Sequence, residues 1–241
     1  PFVGAGVLGS SIGMDKDVMK RLLRDAGIKI ADFLSFDRTS TDKLKFDTII
    51  ESLGIPFFVK PANLGSSVGI NKVSEKNEFE NAVRTAFEFD NKIIIEEFVK
   101  GRELECSVLG NENPIVSIPG EIIPQHDFYS YEAKYIDENG ALLEIPAKLS
   151  KTVLGSVQEI ALKCYKVLCC EGMARVDLFL KQDGKIYVNE INTIPGFTRI
   201  SMYPKLWEAS GISYTELIDR LIQLAIDRYE RDQKLKNTVE I

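Results

Sequence analysis

Residues 172–192, GMARVDLFLKQDGKIYVNEIN, constrain the fold more than any other stretch of the chain. Two apolar-rich runs flank Asp183-Gly184, a dipeptide suited to two-residue hairpin turns in which both central residues take positive φ. With Asp183 and Gly184 as the loop, Gln182 opposes Lys185, and the register follows. Phe179 then faces Val188, Asp177 faces Glu190, and Arg175 faces Asn192. Side chains alternate between the faces of a strand. Arg175, Asp177, Phe179, Val188, Glu190 and Asn192 therefore share one face, and Val176, Leu178, Leu180 and Ile191 share the other. Directly opposed Cβ atoms lie roughly 4.5–5.5 Å apart, and like charges there are destabilising. Two readings of the Asp177–Glu190 opposition stand side by side. In one, a cation compensates the carboxylates, and the all-oxygen donors Asp177, Glu190 and Asn192 favour Mg²⁺ or Mn²⁺ over zinc or copper. In the other, the face is solvated and Arg175 is an ordinary salt-bridge partner. A register slip of one residue would move every side chain to the opposite face.

A second stretch, FFVKPANLGSSVGINKV, sets Lys60 at the end of an apolar strand, ahead of a loop containing Gly65, Ser66, Ser67 and Gly69. Backbone N–H groups and hydroxyls in such a loop can cradle phosphate oxygens. A Walker A loop carries its lysine after the second glycine and opens a helix. Here the lysine comes first and a strand follows, which departs from that motif and argues against a dinucleotide-binding fold. The alternatives are a lid over a nucleotide and a plain flexible hairpin. A third stretch, IIIEEFVKGREL, is a buried strand ending in an acidic, glycine-containing turn. The backbone of Glu97–Val99 can read an adenine edge and Glu103 can hold ribose hydroxyls; equally, these are surface acids on a linker.

Around these stretches the pattern predicts an α+β chain. Helices are expected at Asp15–Ala26, Thr41–Leu53, Glu78–Phe89 and Lys151–Cys169 (with Ser150 as N-cap), and after Ser213, where Ser213 and Glu216 form a capping box. Strands are expected at Asp32–Phe36, Pro56–Lys60, Val68–Val73, Lys92–Ile95, Glu103–Leu109, Ile115–Pro119 and Leu142–Ile145. The opening run PFVGAGVLGSSIG reads as strand-like, and the charge-rich tail Arg228–Lys236 as frayed. The 241 residues suffice for a sizeable core, and 44% hydrophobic with 27% charged residues is the balance of a globular protein. A net charge of −6 gives no global attraction to nucleic acid or an anionic membrane. No apolar run approaches the ~18 residues of a membrane span. Of the cysteines, Cys106, Cys164, Cys169 and Cys170, none forms a CxxC pair, and with one histidine in the chain the usual Cys/His zinc sets are excluded. They read as buried free thiols of a reducing cytoplasm, and His126 as a solvated loop residue.

Taken in order, Asp15-Lys16 ahead of a helix, KPxxxGSSVG after a strand, EExVxGRE, Tyr131-Glu-Ala-Lys-Tyr135, RVDLF and NEIN-x-x-PG resemble the D-alanine–D-alanine ligases of the ATP-grasp class over essentially the whole chain. The resemblance implies an ATP-grasp fold, with ATP held between antiparallel sheets of two α+β subdomains. Residues 1–15 would end a preceding domain or linker, 16–99 would form the central subdomain with the GSSVG lid, and 100–241 the catalytic subdomain. It implies that Lys16 and Lys60 neutralise ATP phosphates, with Ser67 in the phosphate loop. Glu96, Glu97, Phe98 and Val99 would form the adenine hinge, Glu103 would bind ribose, and Phe179 would lie against the adenine. Asp177, Glu190 and Asn192 would hold two Mg²⁺ or Mn²⁺ ions. Lys134 would reach the transferred phosphoryl group, and Arg175 with the Gly196 N–H would stabilise an oxyanion. Ser201 would hold the carboxylate of the second D-alanine and Tyr131 would bind substrate. Ser66 and Tyr135 would take part in closing the loop over the site.

The activity so implied is ATP-dependent, ADP-forming synthesis of D-alanyl-D-alanine for peptidoglycan, in the cytoplasm. The partners would be small molecules, D-alanine and ATP, without nucleic acid or membrane, and the full-length enzyme would be a homodimer. One departure is expected to matter. Family members carry a further N-terminal domain that supplies a glutamate for the first D-alanine's amine, and this chain, which does not begin with Met, is expected to be without it as given. The alternatives are a nucleotide- and Mg²⁺-binding fragment without turnover, and a D-alanine–D-serine ligase. The intact YEAKY sequence argues against the D-lactate type.

Overall fold

The computed structural model describes residues 1–65, 67–124 and 141–236. It opens with helix α1 (Val7–Met14) rather than the strand expected there. The glycines account for the difference: a Cβ at Gly9 would come within 2.6 Å of the Cys169 carbonyl oxygen, so this helix is seated against backbone that only glycine admits. Helix α2 (Lys16–Asp25) follows at once. Its N-cap Asp15 accepts hydrogen bonds through Oδ1 from the N–H groups of Asp17 and Val18, at 3.0 and 3.1 Å.

The first sheet contains β1 (Phe33–Asp37), β2 (Phe57–Pro61), β3 (Asn71–Val73) and β4 (Lys92–Glu97), in the order β1-β4-β2-β3 with antiparallel neighbours. Helices α3 (Phe46–Leu53) and α4 (Lys76–Phe89) cover it through a core that includes Ile49, Phe57, Val59, Phe79, Ile93 and Ile95. The single helix expected over 41–53 is interrupted. A 3₁₀ segment, Arg38–Lys43, is capped by Asp37 and Ser40, and extended backbone at Lys45 separates it from α3. The strand expected over 68–73 shortens to β3, because Ser67 and Gly69 take φ of 59° and 70° in a turn.

The second sheet contains β5 (Arg102–Gly110), β6 (Ile115–Val116), β7 (Gly120–Pro124), β8 (Ala141–Glu144), β9 (Gly172–Leu180) and β10 (Ile186–Asn192), ordered β10-β9-β5-β7-β8 with β6 on β5. Helix α5 (Lys151–Val167), with Ser150 Oγ accepting from the Val153 N–H, packs into a core with Cys106, Val108, Ala174, Val176, Leu178 and Val188. Met19 and Leu23 of α2 enter this same core. The strand expected over 115–119 ends at Val116, and the chain resumes pairing as β7. A further helix, α6 (Met202–Ala209), places Tyr203 and Trp207 in a smaller core with Leu217 and Leu221 of α7 (Tyr214–Asp232). At the start of α7, Ser213 Oγ accepts from the Glu216 N–H, as a capping box requires. The Glu216 carboxylate, however, accepts from the Arg220 guanidinium.

The tail is anchored rather than frayed as far as Asp232. Arg228 is buried and donates to the carbonyls of Gly4 and Phe2, and Arg231 donates to Glu112 and Glu171. Cys106, Cys164 and Cys170 are buried, whereas Cys169 is exposed, at a backbone φ of 54°. Burial pushes the Cys106 thiol up to about 12. Among the described residues no helix is long and apolar enough to cross a membrane.

The 172–192 hairpin corrects the expected register in two places. Lys181 N–H donates to the Lys185 carbonyl and Gly184 takes φ of 79°, so the loop is Gln182-Asp183-Gly184, a three-residue turn with glycine in the left-handed position. Phe179 therefore pairs with Tyr187 and Leu178 with Val188, and Val188 lies in the core instead of on the polar face. A bulge between Val188 and Glu190 then shifts the register back by one. Glu190 opposes Asp177 and Asn192 opposes Arg175, as the sequence predicts.

Candidate functional site

A cleft with a volume of about 270 Å³ opens between the two sheets. The first sheet contributes Phe58 and Lys60 from β2, Glu96 and Glu97 from β4, and Leu64, Gly65, Ser67 and Ile70 from the loop between β2 and β3. The second contributes Glu103 from β5, Pro124 from β7, Phe179 from β9, and Asn189 and Glu190 from the bulge of β10. Lys16 enters from α2, and Phe98, Val99, Lys100 and Gly101, which link β4 to β5, form a wall. The structure thus brings together Lys16, Lys60, Ser67, Glu96, Glu97, Phe98, Val99, Glu103, Phe179 and Glu190, ten residues singled out from the sequence.

The cleft is unevenly charged. Lys60 Nζ lies 2.6 Å from Glu96 Oε2, and Lys20 Nζ lies 2.7 Å from Glu96 Oε1. Burial opposes ionisation of Glu96, but the two ammonium groups outweigh it and hold the carboxyl at about 2. Lys16 Nζ donates to the Leu64 carbonyl and lies 4.0 Å from Glu190 Oε2. Burial lowers the Lys16 pKa, with Glu190 acting in the opposite sense. The Glu97 carboxylate accepts from the Asp32 N–H at 3.0 Å. Phe98, at the wall, contacts Phe58 at 6.0 Å between ring centroids, and its ring carries the Lys72 ammonium at 5.1 Å. An apolar wall beside a floor that carries the Lys16 and Lys60 ammonium groups suits a planar ring attached to phosphates.

Next to the cleft runs the polar face of β9 and β10. The Arg175 guanidinium donates through Nε and Nη2 to Asp177 Oδ1 and Oδ2, both at 2.7 Å, and Nε is 2.9 Å from Glu105 Oε2. Burial disfavours its charge, yet Asp177 and Glu105 raise its pKa. Asn192 Nδ2 donates to Asp177 Oδ2 at 3.3 Å. The donor set fits hard divalent cations: two carboxylates on paired residues and an amide, all oxygen donors, with each carboxylate oxygen able to accept more than one partner. As the side chains stand, no three carboxylate, histidine or cysteine residues converge on one point among the described residues.

Gly196 and Ser201 meet elsewhere, beyond β10. A Cβ at Gly196 would come within 3.0 Å of Ser201 Oγ. Ser201 is the N-cap residue of α6, and its hydroxyl lies 2.8 Å from Thr198 Oγ1 and accepts from the Thr198 N–H at 3.1 Å. Ser66, Tyr131, Lys134 and Tyr135 lie outside the described residues, as does His126. Sequence reasoning missed Lys20, Glu105 and Asn189. Lys20 stands four residues after Lys16 on one helix face, and Glu105 two residues after Glu103 on one strand face, so periodicity carried both signals. Asn189 is exposed to the cleft by the bulge, which periodicity does not show.

Residues 22–223 match the family model described as D-ala D-ala ligase C-terminus. The chain belongs to the D-Ala-D-Ala ligase family. Similar relatives within that family include the D-alanine–D-alanine ligase of Oceanobacillus iheyensis, 59% identical over 99% of this chain and 65% of that protein. The D-alanine–D-alanine ligase A of Escherichia coli K12 is 53% identical over 99% of the chain and 66% of its own length. The chain therefore spans about two thirds of these ligases, just under that fraction in each. Among solved structures, the D-alanine–D-alanine ligase of Coxiella burnetii superposes with a TM-score of 0.87 at 42% identity, over 97% of this chain and 62% of that one. The VanG D-Ala:D-Ser ligase of Enterococcus faecalis gives 0.85 at 39% identity, over 93% and 65%. The architecture is the α+β, ATP-grasp-like fold of these ligases, with a cleft between antiparallel sheets.

Proposed function

We propose that this chain is the ATP-binding and catalytic part of a D-alanine–D-alanine ligase. The observation that carries the reading is the union in one cleft of the Lys16 and Lys60 ammonium groups, the Phe98–Gly101 wall and Glu190, whose strand partner Asp177 lies on the face next to it. In this reading the adenine lies along Phe98 and Val99 with Phe179 against it, Glu103 takes the ribose hydroxyls, and Lys16, Lys60 and Ser67 meet the phosphates.

The carboxylate of one D-alanine attacks the γ-phosphate, ADP leaves, and an acyl phosphate forms. Lys16 and Lys60 disperse the charge of that transfer, and Lys134 is proposed to assist. Asp177, Glu190 and Asn192 would hold divalent cations, two by our reading, which supply further charge neutralisation at the phosphates. The amine of the second D-alanine then attacks the acyl carbon, giving a tetrahedral oxyanion whose collapse expels phosphate. Arg175 and the Gly196 N–H would stabilise that oxyanion. Ser201, at the start of α6, suits the second substrate's carboxylate. Tyr131, Ser66 and Tyr135 are proposed to cover the reacting groups, since an acyl phosphate must be kept from water.

The resemblance to VanG supports a second reading, in which D-serine is the second substrate. The test is ADP release with Mg²⁺ and ATP, alone, with D-alanine, and with D-alanine plus D-serine. It should be run on this chain and on the chain extended to the length of its relatives. Release that depends on D-alanine, with D-alanyl-D-alanine as product, is expected in the extended protein. ATP binding without any D-alanine-dependent turnover there would leave a nucleotide-binding module, and a mixed D-alanyl-D-serine product would favour the second reading.

A further inference from the structure

Lys20 has no place among the groups that meet ATP in the reading above, yet it is one of the largest fully buried side chains in the chain. Its side chain is 1% exposed, and Nζ lies 2.7 Å from Glu96 Oε1. The other oxygen of the same carboxylate, Oε2, lies 2.6 Å from Lys60 Nζ. Glu96 lines the cleft with Lys60, while Lys20 stands behind the carboxylate and does not line it. A buried lysine is costly unless paired, and a core position on α2 would be filled more cheaply by leucine. The arrangement is intelligible through its effect on Lys60.

With one lysine on the Glu96 carboxylate, the Lys60–Glu96 pair would be neutral and would present no net charge to an anion. With two lysines on it, the three groups carry a net charge of +1, and Lys60 is the member at the cleft surface. We propose that Lys20 is a positioning residue: it satisfies the Glu96 carboxylate from behind, fixes Lys60 against the cleft floor, and leaves Lys60 with charge available to the nucleotide phosphates. The inference rests on the reading of the cleft as the ATP site. It adds a phosphate-affinity determinant that does not itself touch ATP.

The test is calorimetric titration of Mg²⁺–ATP and, separately, of adenosine into the unsubstituted chain, Lys20→Met, Lys20→Gln and Lys20→Arg. In Lys20→Met the carboxylate is left to Lys60 alone, and the Kd for ATP is expected to rise about tenfold or more. Adenosine, which has no phosphates, should bind this variant as it binds the unsubstituted chain. Lys20→Arg keeps the charge and should restore part of the ATP affinity. Lys20→Gln keeps a hydrogen-bond donor to the carboxylate but not the charge, and should lose ATP affinity as Lys20→Met does. Should Lys20→Met fail to fold, Lys20→Gln carries the test, set against Lys20→Arg: a rise in the Kd for ATP in the first, with adenosine affinity kept in both, is expected. Unchanged ATP affinity in Lys20→Met overturns the inference while leaving the ATP site standing. So does a loss equal for ATP and adenosine, or a folded Lys20→Gln variant that binds ATP as the unsubstituted chain does. Failure of the unsubstituted chain to bind ATP overturns both.

Discussion

The Arg175 guanidinium sits between Asp177 on its own strand and Glu105 on the next, 2.7 Å from one carboxylate and 2.9 Å from the other. Two acidic groups on adjacent strands are thereby tied to one planar cation, which is held in a single orientation beside the strand face that Glu190 shares. A guanidinium can bridge both carboxylates and still offer an N–H to a third acceptor. An ammonium is a point charge and cannot copy that geometry.

Arg175→Lys in the extended ligase is therefore expected to lower kcat by about 10²–10³, the usual effect of removing one oxyanion donor. ATP affinity should change little, because Arg175 does not line the cleft. Steady-state kinetics checks this. A rise in KM for ATP with kcat intact would reassign Arg175 to nucleotide binding.

Lys60→Ala should weaken ATP binding by roughly 1.5–3 kcal/mol through loss of a charge-assisted contact. Its effect on folding should be small, since Glu96 keeps Lys20 as a partner. Calorimetry and thermal unfolding on the same variant distinguish the two quantities. A collapse of the melting temperature with affinity preserved would make Lys60 a structural residue.

Acid should act through Glu96. Its carboxyl, held at about 2 in the fold, has an ordinary value of 4.5. A depressed folded value means stability that is fully present above pH 4.5 and is lost as the pH falls through the window from 4.5 to 2. The melting temperature of the unsubstituted chain should drop across that window. The drop should be shallower in Glu96→Gln, whose side chain does not titrate. Parallel curves for the two proteins would show that Glu96 contributes nothing to acid sensitivity.

Gly101 tests the wall of the cleft. A Cβ there would meet the Leu180 carbonyl oxygen at 2.8 Å and its carbon at 3.0 Å, both backbone atoms of β9. Gly101→Ala must push the link between β4 and β5 away from the second sheet. It is expected to destabilise the chain by about 1–3 kcal/mol, as overpacking does, and to weaken adenosine binding as well as ATP binding. Unchanged adenosine affinity would show that the wall does not contact the base.

Much of this was legible in the sequence, for identifiable reasons. Lys60 ahead of its glycine loop and the acidic turn after Ile95 were placed by strand periodicity, and both line one cleft. The Asp177–Glu190 pairing was also expected, but through a register with two departures that cancel: a loop of three residues instead of two, and a bulge before Glu190. Val188 records the part that failed, since it is buried although its spacing put it beside Glu190. Periodicity assumes an unbroken strand and has no term for an extra residue. Likewise α1 was misread because its glycines signal close backbone packing as readily as a break, and that depends on Cys169, far away in sequence. The tail was misread because Arg228 and Arg231 look solvated until their partners at Gly4, Glu112 and Glu171 are known.

The four-stranded sheet and the larger sheet each have a hydrophobic core of their own, with no residue in common. Such a chain can melt in two steps, one for each core. A molecule lying against Phe98–Gly101 touches residues of both sheets at once, and its binding free energy is forfeited if either half opens. Occupancy of the cleft thus adds to the few contacts, such as Phe33 on the larger core and Lys20 on Glu96, that make the two cores melt together.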